Sequence, residues 1–570
     1  MKSLTTIASF LTAQRSASQS RAGRFQFSVI VVLALNLSSS FLTLPCWAQE
    51  TLKRQDPNIV VIMADDLGYG DLSCYGATNI ETPNIDRLAA NGIRFTDGYC
   101  SASTCTPTRY SLLTGNYAFR TRGTGIAPPN SPALITPGTE TVASILQRGG
   151  YRTAVIGKWH LGLGPKKNKN AKKNDGRFGP DWNGELKPGP LEIGFDSCFL
   201  LPTTNDRVPQ VYVQDHRVAN LDPDDPLWVG NKRPSQSHPT GKTHRDTLKL
   251  DWSHGHNATI HNGISRIGFY TGGESARFRD EDLADMWVKK SVEFLEANQN
   301  KPFFLFFSSH DLHVPRMPHE RFQGKSKLGL RGDAILQLDW SVGELTKTLK
   351  RLGIEKNTLV IFCSDNGPVM DDGYKDGALE KLGDHRAAGP FSGGKYSVYE
   401  GGTRTPFITH WPGTIAPQES AQVVCTVDLA ASFAKLINQP LTDDACTDSF
   451  DVLDALLGKP DARGRETLIQ QDNGNKGSFG FRKGDWKLLR HDKGKAHNLN
   501  VDQKKANTKV PKFQLFNLAD DPAESNNLIE KHPKIAAELK ALLAQQIEAG
   551  RTRPVQEKKE PVLVLSLIHI

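Results

Sequence analysis

The sequence has eight cysteines but no C-x-x-C pair. No zinc site is therefore readable among them. Excess charge is also scarce. The net charge is +8, and Lys2, Arg15, Arg21 and Arg24 supply four of those charges with no acid before Gln49, which leaves +4 for the remainder. So mild a balance argues against a nucleic-acid partner. Beyond residue 48 no apolar run is long enough to span a bilayer, so no stable membrane anchor is expected once the leader is removed.

What is present begins with that leader. Basic residues up to Arg24 precede an apolar run from Phe25 to Leu44, and Cys46-Trp47-Ala48 offers small residues for cleavage. Residues 1–48 read as a signal peptide, which predicts a periplasmic or extracellular protein. Asn36 and the run Ser38-Ser39-Ser40 interrupt the apolar stretch and speak against a membrane anchor. Pro45 speaks against lipid attachment to Cys46. The other seven cysteines are scattered and read as small core residues; an exported chain can form disulfides, but sequence alone assigns no pairing. At the far end, Leu565–Ile570 resembles a translated DNA-library adapter and is set apart as a non-native tail.

A chain of 570 residues exceeds the size at which one core stops growing, so two domains are expected. Four strongly apolar runs, Ile59–Ala64, Arg152–Gly157, Phe303–Ser308 and Leu359–Ser364, fit strands buried on both faces of a mostly parallel sheet. Helical patterns at Glu140–Arg148, Asp282–Ala297 and Asp333–Leu352 precede the last three. This alternation predicts an α/β fold, a large, mostly parallel sheet sandwiched by helices, over 49–465. From 466 to 564 the pattern changes: Ser478–Leu489, split by Gly484, and Phe513–Leu518 read as strands, and Ile535–Ile547 as an amphipathic helix. That predicts a smaller antiparallel sheet with one helix. The Lys-rich stretch containing Lys166, Lys167, Lys169, Lys172 and Lys173 reads as a solvated loop, with a polyanion-contacting rim as the alternative.

Each apolar run is followed directly by reactive polar residues. The first leads into Asp65-Asp66, the second into Lys158-Trp159-His160, the third into His310-Asp311-Leu312-His313 and the fourth into Asp365-Asn366. All four sets lie past the carboxyl ends of predicted strands, where open α/β sheets place their sites. The oxygen donors Asp65, Asp66, Asp365 and Asn366 suit Ca²⁺ or Mg²⁺ rather than zinc. Lys158 and His160 are two apart on an extended segment and face the same way.

The segment Cys105-Thr106-Pro107-Thr108-Arg109, continuing through Leu112-Leu113-Thr114-Gly115, resembles the C-x-P-x-R signature of the type I sulfatases, and matching elements extend over most of residues 56–560. The closest likeness is to the arylsulfatase and N-acetylgalactosamine-6-sulfatase group of the alkaline phosphatase superfamily. Thr108 stands where the commonest version has Ser. The resemblance implies that a maturation enzyme oxidises Cys105 to Cα-formylglycine. A hydrated aldehyde carries two hydroxyls: one attacks sulfur, forming a covalent sulfo-enzyme, and the other then expels sulfate and restores the aldehyde. A serine would be trapped as a stable ester.

The same resemblance implies one calcium ion held by Asp65, Asp66, Asp365, Asn366 and residue 105, drawing in the sulfate oxygens. It places Arg109 on the hydrated aldehyde and Lys158 on sulfate and residue 105. His160 takes the proton that releases sulfate, and His313, in His-Val-Pro, faces the leaving oxygen. Lys395, in Gly393-Gly394-Lys395, binds sulfate from the opposite side. His310 is held as substrate-contacting or structural. The implied substrate is an aryl sulfate or a sulfated carbohydrate. A phosphatase or phosphodiesterase of the same superfamily is the nearer rival, and a glycan-binding relative with unmatured Cys105 the further one. Thr203–Arg207 and Asp372–His385 flank the inferred site in sequence without an assigned role.

Overall fold

The computed structural model describes residues 56–165, 179–473, 477–496 and 508–555. The leader, the Lys166–Lys173 stretch and the 565–570 tail lie outside them. The main sheet has ten strands: β1 (Asn58–Ala64), β2 (Ile93–Phe95), β3 (Arg152–Lys158), β4 (Ser197–Leu201), β5 (Val213–Gln214), β6 (Arg217–Val218), β7 (Phe303–Ser308), β8 (Thr358–Ser364), β9 (Phe407–His410) and β10 (Gln418–Ser420). Their order across the sheet is β10-β2-β9-β8-β1-β7-β3-β4-β5-β6. The four apolar runs form its centre, β8-β1-β7-β3, all parallel. Antiparallel pairings occur only toward the margins, at β8-β9, β9-β2, β4-β5 and β5-β6.

β1, β7 and β8 are buried along their whole length, which is why they show no polar alternation. Their side chains still alternate between two cores. Ile59, Val61, Met63, Phe304, Phe306, Leu359 and Ile361 face one side, packing with residues of α1 (Cys105–Thr114), α2 (Val142–Arg148) and a helix at Leu429–Leu436. Val60, Ile62, Phe303, Leu305, Phe307, Val360 and Phe362 face the other, against α3 (Leu283–Asn298) and α4 (Gly329–Arg351) through Trp287, Ile335, Leu338 and Val342. Each such side chain contributes about 1.5–3 kcal/mol on burial, so the sheet centre is a rigid platform.

Helix ends differ from the periodicity reading by a few residues. α2 starts at Val142 because Thr141 caps it: its Oγ1 accepts from Ser144 N at 3.0 Å, and its own N–H donates to Ser144 Oγ at 2.9 Å. α4 starts at Gly329, a turn before Asp333, whose carboxylate accepts from the N–H groups of Gly324 and Ser326 and ties down the preceding loop.

The stretch between β4 and α3 carries no strong periodicity. It folds as loops and short antiparallel ribbons, pairing Trp228–Gly230 with Phe269–Thr271 and Ile260–His261 with Ile264–Ser265. Near the C-terminus, Thr467–Gln471, Phe479–Lys483, Trp486–Arg490 and Phe513–Asn517 form a four-stranded antiparallel meander. Gly484, at φ +55°, makes the tight turn between Lys483 and Trp486 that a side chain would strain. The helix Pro533–Glu548 covers this sheet with Ala536, Leu539 and Leu543, in a core that Tyr99, Tyr117 and Val427 of the main body also enter.

Candidate active site

Strand register brings the two acid pairs together. Ala64 lies opposite Ser364 at the carboxyl ends of β1 and β8, so Asp65-Asp66 and Asp365-Asn366 emerge side by side. β3 and β7 also end at this edge and deliver Lys158, His160 and His313. Asp66 (φ 57°) and His160 (φ 54°) adopt the left-handed conformation, uncommon for residues with a side chain and characteristic of functional sites. α1 begins at Cys105, and Arg109 follows one helical turn later, on the same face. All ten residues singled out from the sequence are buried here.

A network of charge-assisted bonds connects them. Arg109 donates from Nε and Nη2 to Asp365 Oδ2, at 2.9 and 2.7 Å, and from Nη1 to the Lys158 carbonyl at 3.3 Å and to Ser308 Oγ. Lys158 Nζ donates to Asp65 Oδ2. Lys395 Nζ donates to Asp66 Oδ2 at 2.9 Å and to Asp372 Oδ2 at 2.7 Å. Burial works against the Lys395 charge, yet Asp372 and Asp66 hold its ammonium well above the usual lysine range.

At the ends of β1 and β8, Asp65 Oδ1 and Asn366 Oδ1 are buried without a hydrogen-bond partner among the described residues. The Asn366 amide is oriented by its NH₂ group, which donates to Asp66 Oδ1 at 2.8 Å and to the Gly367 carbonyl at 2.9 Å, leaving the amide oxygen over. Burial, and then the neighbouring Asp365 carboxylate, push Asp65 up to about 8 even with Lys158 beside it. Surplus negative charge and orphaned oxygens are the conditions a hard cation relieves, so the donor set fits calcium. A ring nitrogen of His313 also comes within 4.8 Å of ligand atoms of Asp65 and Asp66.

The two site histidines are neutral, each with an assignable tautomer. His160 Nε2 lies 3.0 Å from the Ala127 carbonyl, which can only accept. Its Nδ1 is thus unprotonated, and it stands 3.1 Å from Cys105 Sγ. His313 Nδ1 donates to the Val314 carbonyl at 2.7 Å, which leaves Nε2 without a proton. Burial, followed by Lys158, holds both well below the usual histidine range. Burial also pushes the Cys105 thiol up. His310 turns away: its Nδ1 accepts from Trp287 Nε1 of α3 at 3.1 Å, a packing role.

A further group of polar residues, unassigned from the sequence, surrounds Lys395 and Cys105. Asp372 lies on Lys395, and Tyr396 donates from its hydroxyl to Asp372 at 3.0 Å. Asp206 accepts from Arg207 at 3.2 Å and meets His256 Nε2 at 2.9 Å, and the Arg207 charge acts on both Cys105 and His160. Gly373, at φ +117°, allows the loop to approach His256; a Cβ there would lie 1.8 Å from the ring. These residues sit in segments with no apolar periodicity, so their only sequence signal was polarity beside the motif. Ser308, which bridges Arg109 and the Lys158 carbonyl, was visible only as the end of an apolar run. The seven described cysteines are free thiols, six buried and Cys74 half-buried. No described helix is long and apolar enough to cross a membrane.

Fold and site together place buried cations, Lys158 and Lys395, around Cys105 at the carboxyl edge of the sheet. Residues 57–439 match the sulfatase family model, and the chain belongs to the sulfatase family, enzymes that hydrolyse sulfuric esters. Its relatives include the N-acetylgalactosamine-6-O-sulfatase of Bacteroides thetaiotaomicron, 47% identical with 88% of this chain and 94% of that protein covered. Human arylsulfatase A is 31% identical, with 87% and 89% covered. A solved structure described under the metabolism of multiple glycosaminoglycans by B. thetaiotaomicron superposes with a TM-score of 0.80 at 46% identity, over 86% of this chain and 99% of that one. A Pseudoalteromonas sulfatase at 23% identity, covering 88% and 92%, shares the fold with a TM-score of 0.63.

Proposed function

We propose that this sulfatase removes the 6-O-sulfate of N-acetylgalactosamine units in a sulfated carbohydrate, outside the cytoplasm, after Cys105 has been oxidised to formylglycine by a maturation enzyme. The observation that carries the substrate assignment is the 47% identity to an N-acetylgalactosamine-6-O-sulfatase over nearly the whole length of both chains. The polar wall of Asp206, Arg207, His256 and Asp372 supports it, because a sugar presents hydroxyls that such groups satisfy. The basic-then-apolar leader supports export.

Residue 105 supplies the attacking oxygen, and the Cys105 Sγ stands in for it. Asp65, Asp66, Asp365 and Asn366 would hold calcium, which supplies positive charge for the sulfate oxygens and for an ionised hydroxyl. Lys158 and Lys395, each already paired with one of these carboxylates, present ammonium groups to an entering sulfate. Arg109 spans Asp365 and the Lys158 carbonyl and fixes the first turn of α1. His160, with Nδ1 free of a proton and facing residue 105, accepts a proton from the hydroxyl there. His313, with Nδ1 held on the Val314 carbonyl, has Nε2 open to take up a proton and return it to a departing alkoxide. The test is sulfate release by the matured protein from 6-O-sulfated and 4-O-sulfated N-acetylgalactosamine. Release from the 6-isomer at least about 10²-fold faster is expected, as for a site built to satisfy a sugar's polar groups. Equal rates, or release only from aryl sulfates, overturn the substrate assignment.

A further inference from the structure

The segment that carries Lys395 is gripped from behind by the C-terminal sheet. On its site-facing side, Lys395 reaches Asp66 and Asp372, and Tyr396 reaches Asp372. Its other contacts run the opposite way. Ser392 Oγ donates to the Ala523 carbonyl at 2.5 Å, the Tyr399 hydroxyl to Gln514 Oε1 at 3.0 Å, and the Glu400 N–H to Glu524 Oε2 at 2.6 Å. Val398 and Tyr399 pack with Leu489, Ala496 and Phe516.

At the centre of this grip is Lys487, on the strand Trp486–Arg490 and wholly buried. Its Nζ lies 2.8 Å from Glu400 Oε1 and 3.0 Å from Glu524 Oε1. Glu400 also accepts from the Tyr99 hydroxyl at 2.5 Å and from Gln470 Nε2 at 3.2 Å. Two buried carboxylates thus share one ammonium. Without it Glu524 and Glu400 would face each other with Arg404, 3.3 Å from Glu400 Oε2, left to offset both charges, which is an unfavourable arrangement.

A second observation shows that the segment needs an outside clamp. Between Gly393 and Tyr399 it belongs to no helix or strand, and Tyr396 is held at φ 73°. A bulky residue persists in that conformation only where its surroundings over-determine it. We propose that Lys487 is a positioning residue for Lys395, setting through Glu400 and Glu524 where the Lys395 ammonium meets the sulfate. This rests on the reading of Lys395 as a sulfate-binding group.

The test is a double-mutant cycle on the full-length, matured protein. Values of kcat/KM for a nitrophenyl sulfate are measured for wild type, Lys487→Met, Lys395→Ala and the double variant, together with inhibition by inorganic sulfate. Displacing a sulfate-binding group by about 1 Å costs on the order of 10²-fold. Lys487→Met is therefore expected to lose about 10–100-fold and to weaken sulfate inhibition. In the Lys395→Ala background the same change is expected to lose less than about two-fold, because coupled residues do not add. A lesion that only reduced the folded fraction would leave the sulfate inhibition constant unmoved. Additive losses, or full activity in Lys487→Met, overturn the proposal. Full activity in Lys395→Ala overturns the reading of Lys395 itself, and the proposal with it. Should Lys487→Met fail to fold, Ser392→Ala and Tyr399→Phe, each removing one anchor bond, enter the same cycle with the same criteria.

Discussion

His160 Nδ1 stands 3.1 Å from Cys105 Sγ, and the opposite ring nitrogen is fixed at 3.0 Å on the Ala127 carbonyl. The imidazole can therefore only accept a proton from residue 105. If that proton transfer releases sulfate after the alcohol has left, His160→Ala should give a burst of phenol from an aryl sulfate, followed by slow turnover. Stopped-flow absorbance checks this. A slow rate from the first turnover, with no burst, would place His160 in the earlier step.

Cys105→Ala should abolish turnover and Cys105→Ser should nearly do so, since neither side chain can be oxidised to the aldehyde in the same way. Mass spectrometry of the peptide containing Cys105 should show formylglycine after production with the maturation enzyme. Undiminished sulfate release from the alanine variant would sink the mechanism.

Metal analysis should find about one calcium per chain and no stoichiometric zinc, as an all-oxygen donor set requires. Asp365→Ala should lose the ion and also release Arg109, which is bound twice to that carboxylate. Zinc at one or two equivalents, essential for activity, would favour the phosphatase chemistry of the superfamily.

The proximity of His313 to Asp65 and Asp66 makes its role separable. As a proton donor to the leaving oxygen, it should matter for a sugar sulfate by about 10²–10⁴-fold and much less for a nitrophenyl sulfate, whose anion departs unaided. His313→Ala should meanwhile retain its calcium. Loss of the ion with equal losses on both substrates would make His313 a metal ligand instead.

A pH effect on stability is expected from Asp71. Burial opposes its charge, but Arg331, bonded at 2.7 and 2.6 Å, and then His385 at 2.9 Å, bring its carboxyl down to about 2. A lowered acid pKa contributes stability that is present above the unfolded value near 3.8 and lost as pH falls through about 2. Asp71→Asn should cost about 3–5 kcal/mol at neutral pH by leaving Arg331 buried without its anion. It should also flatten the decline in stability between pH 4 and 2, measured by denaturant melts. An unchanged acid limb would assign the decline to other carboxylates.

The sequence by itself determined the sheet centre and the polar pairs Asp65-Asp66 and Asp365-Asn366 at its edge. Burial on both faces forces uninterrupted apolar runs, so the strands ending at Ala64, Lys158, Ser308 and Ser364 were legible, and so were the reactive residues directly after them. Three strands of the C-terminal meander and its helix were legible too, because Gly484 and the helical period mark them, whereas Thr467–Gln471 was not. Tertiary structure alone decided which residues serve those groups. Asp372 on Lys395, Arg207 near Cys105, Ser308 under Arg109 and Lys487 behind the Lys395 segment all act on residues outside their own helix or strand. It also separates His310 from His313: both follow the same strand, but the Trp287 indole donates to the first, and the second lies beside Asp65 and Asp66. Local periodicity records what a residue does for its own helix or strand. A side chain whose partner lies hundreds of residues away leaves no such record, and only the packing of the chain brings the two together.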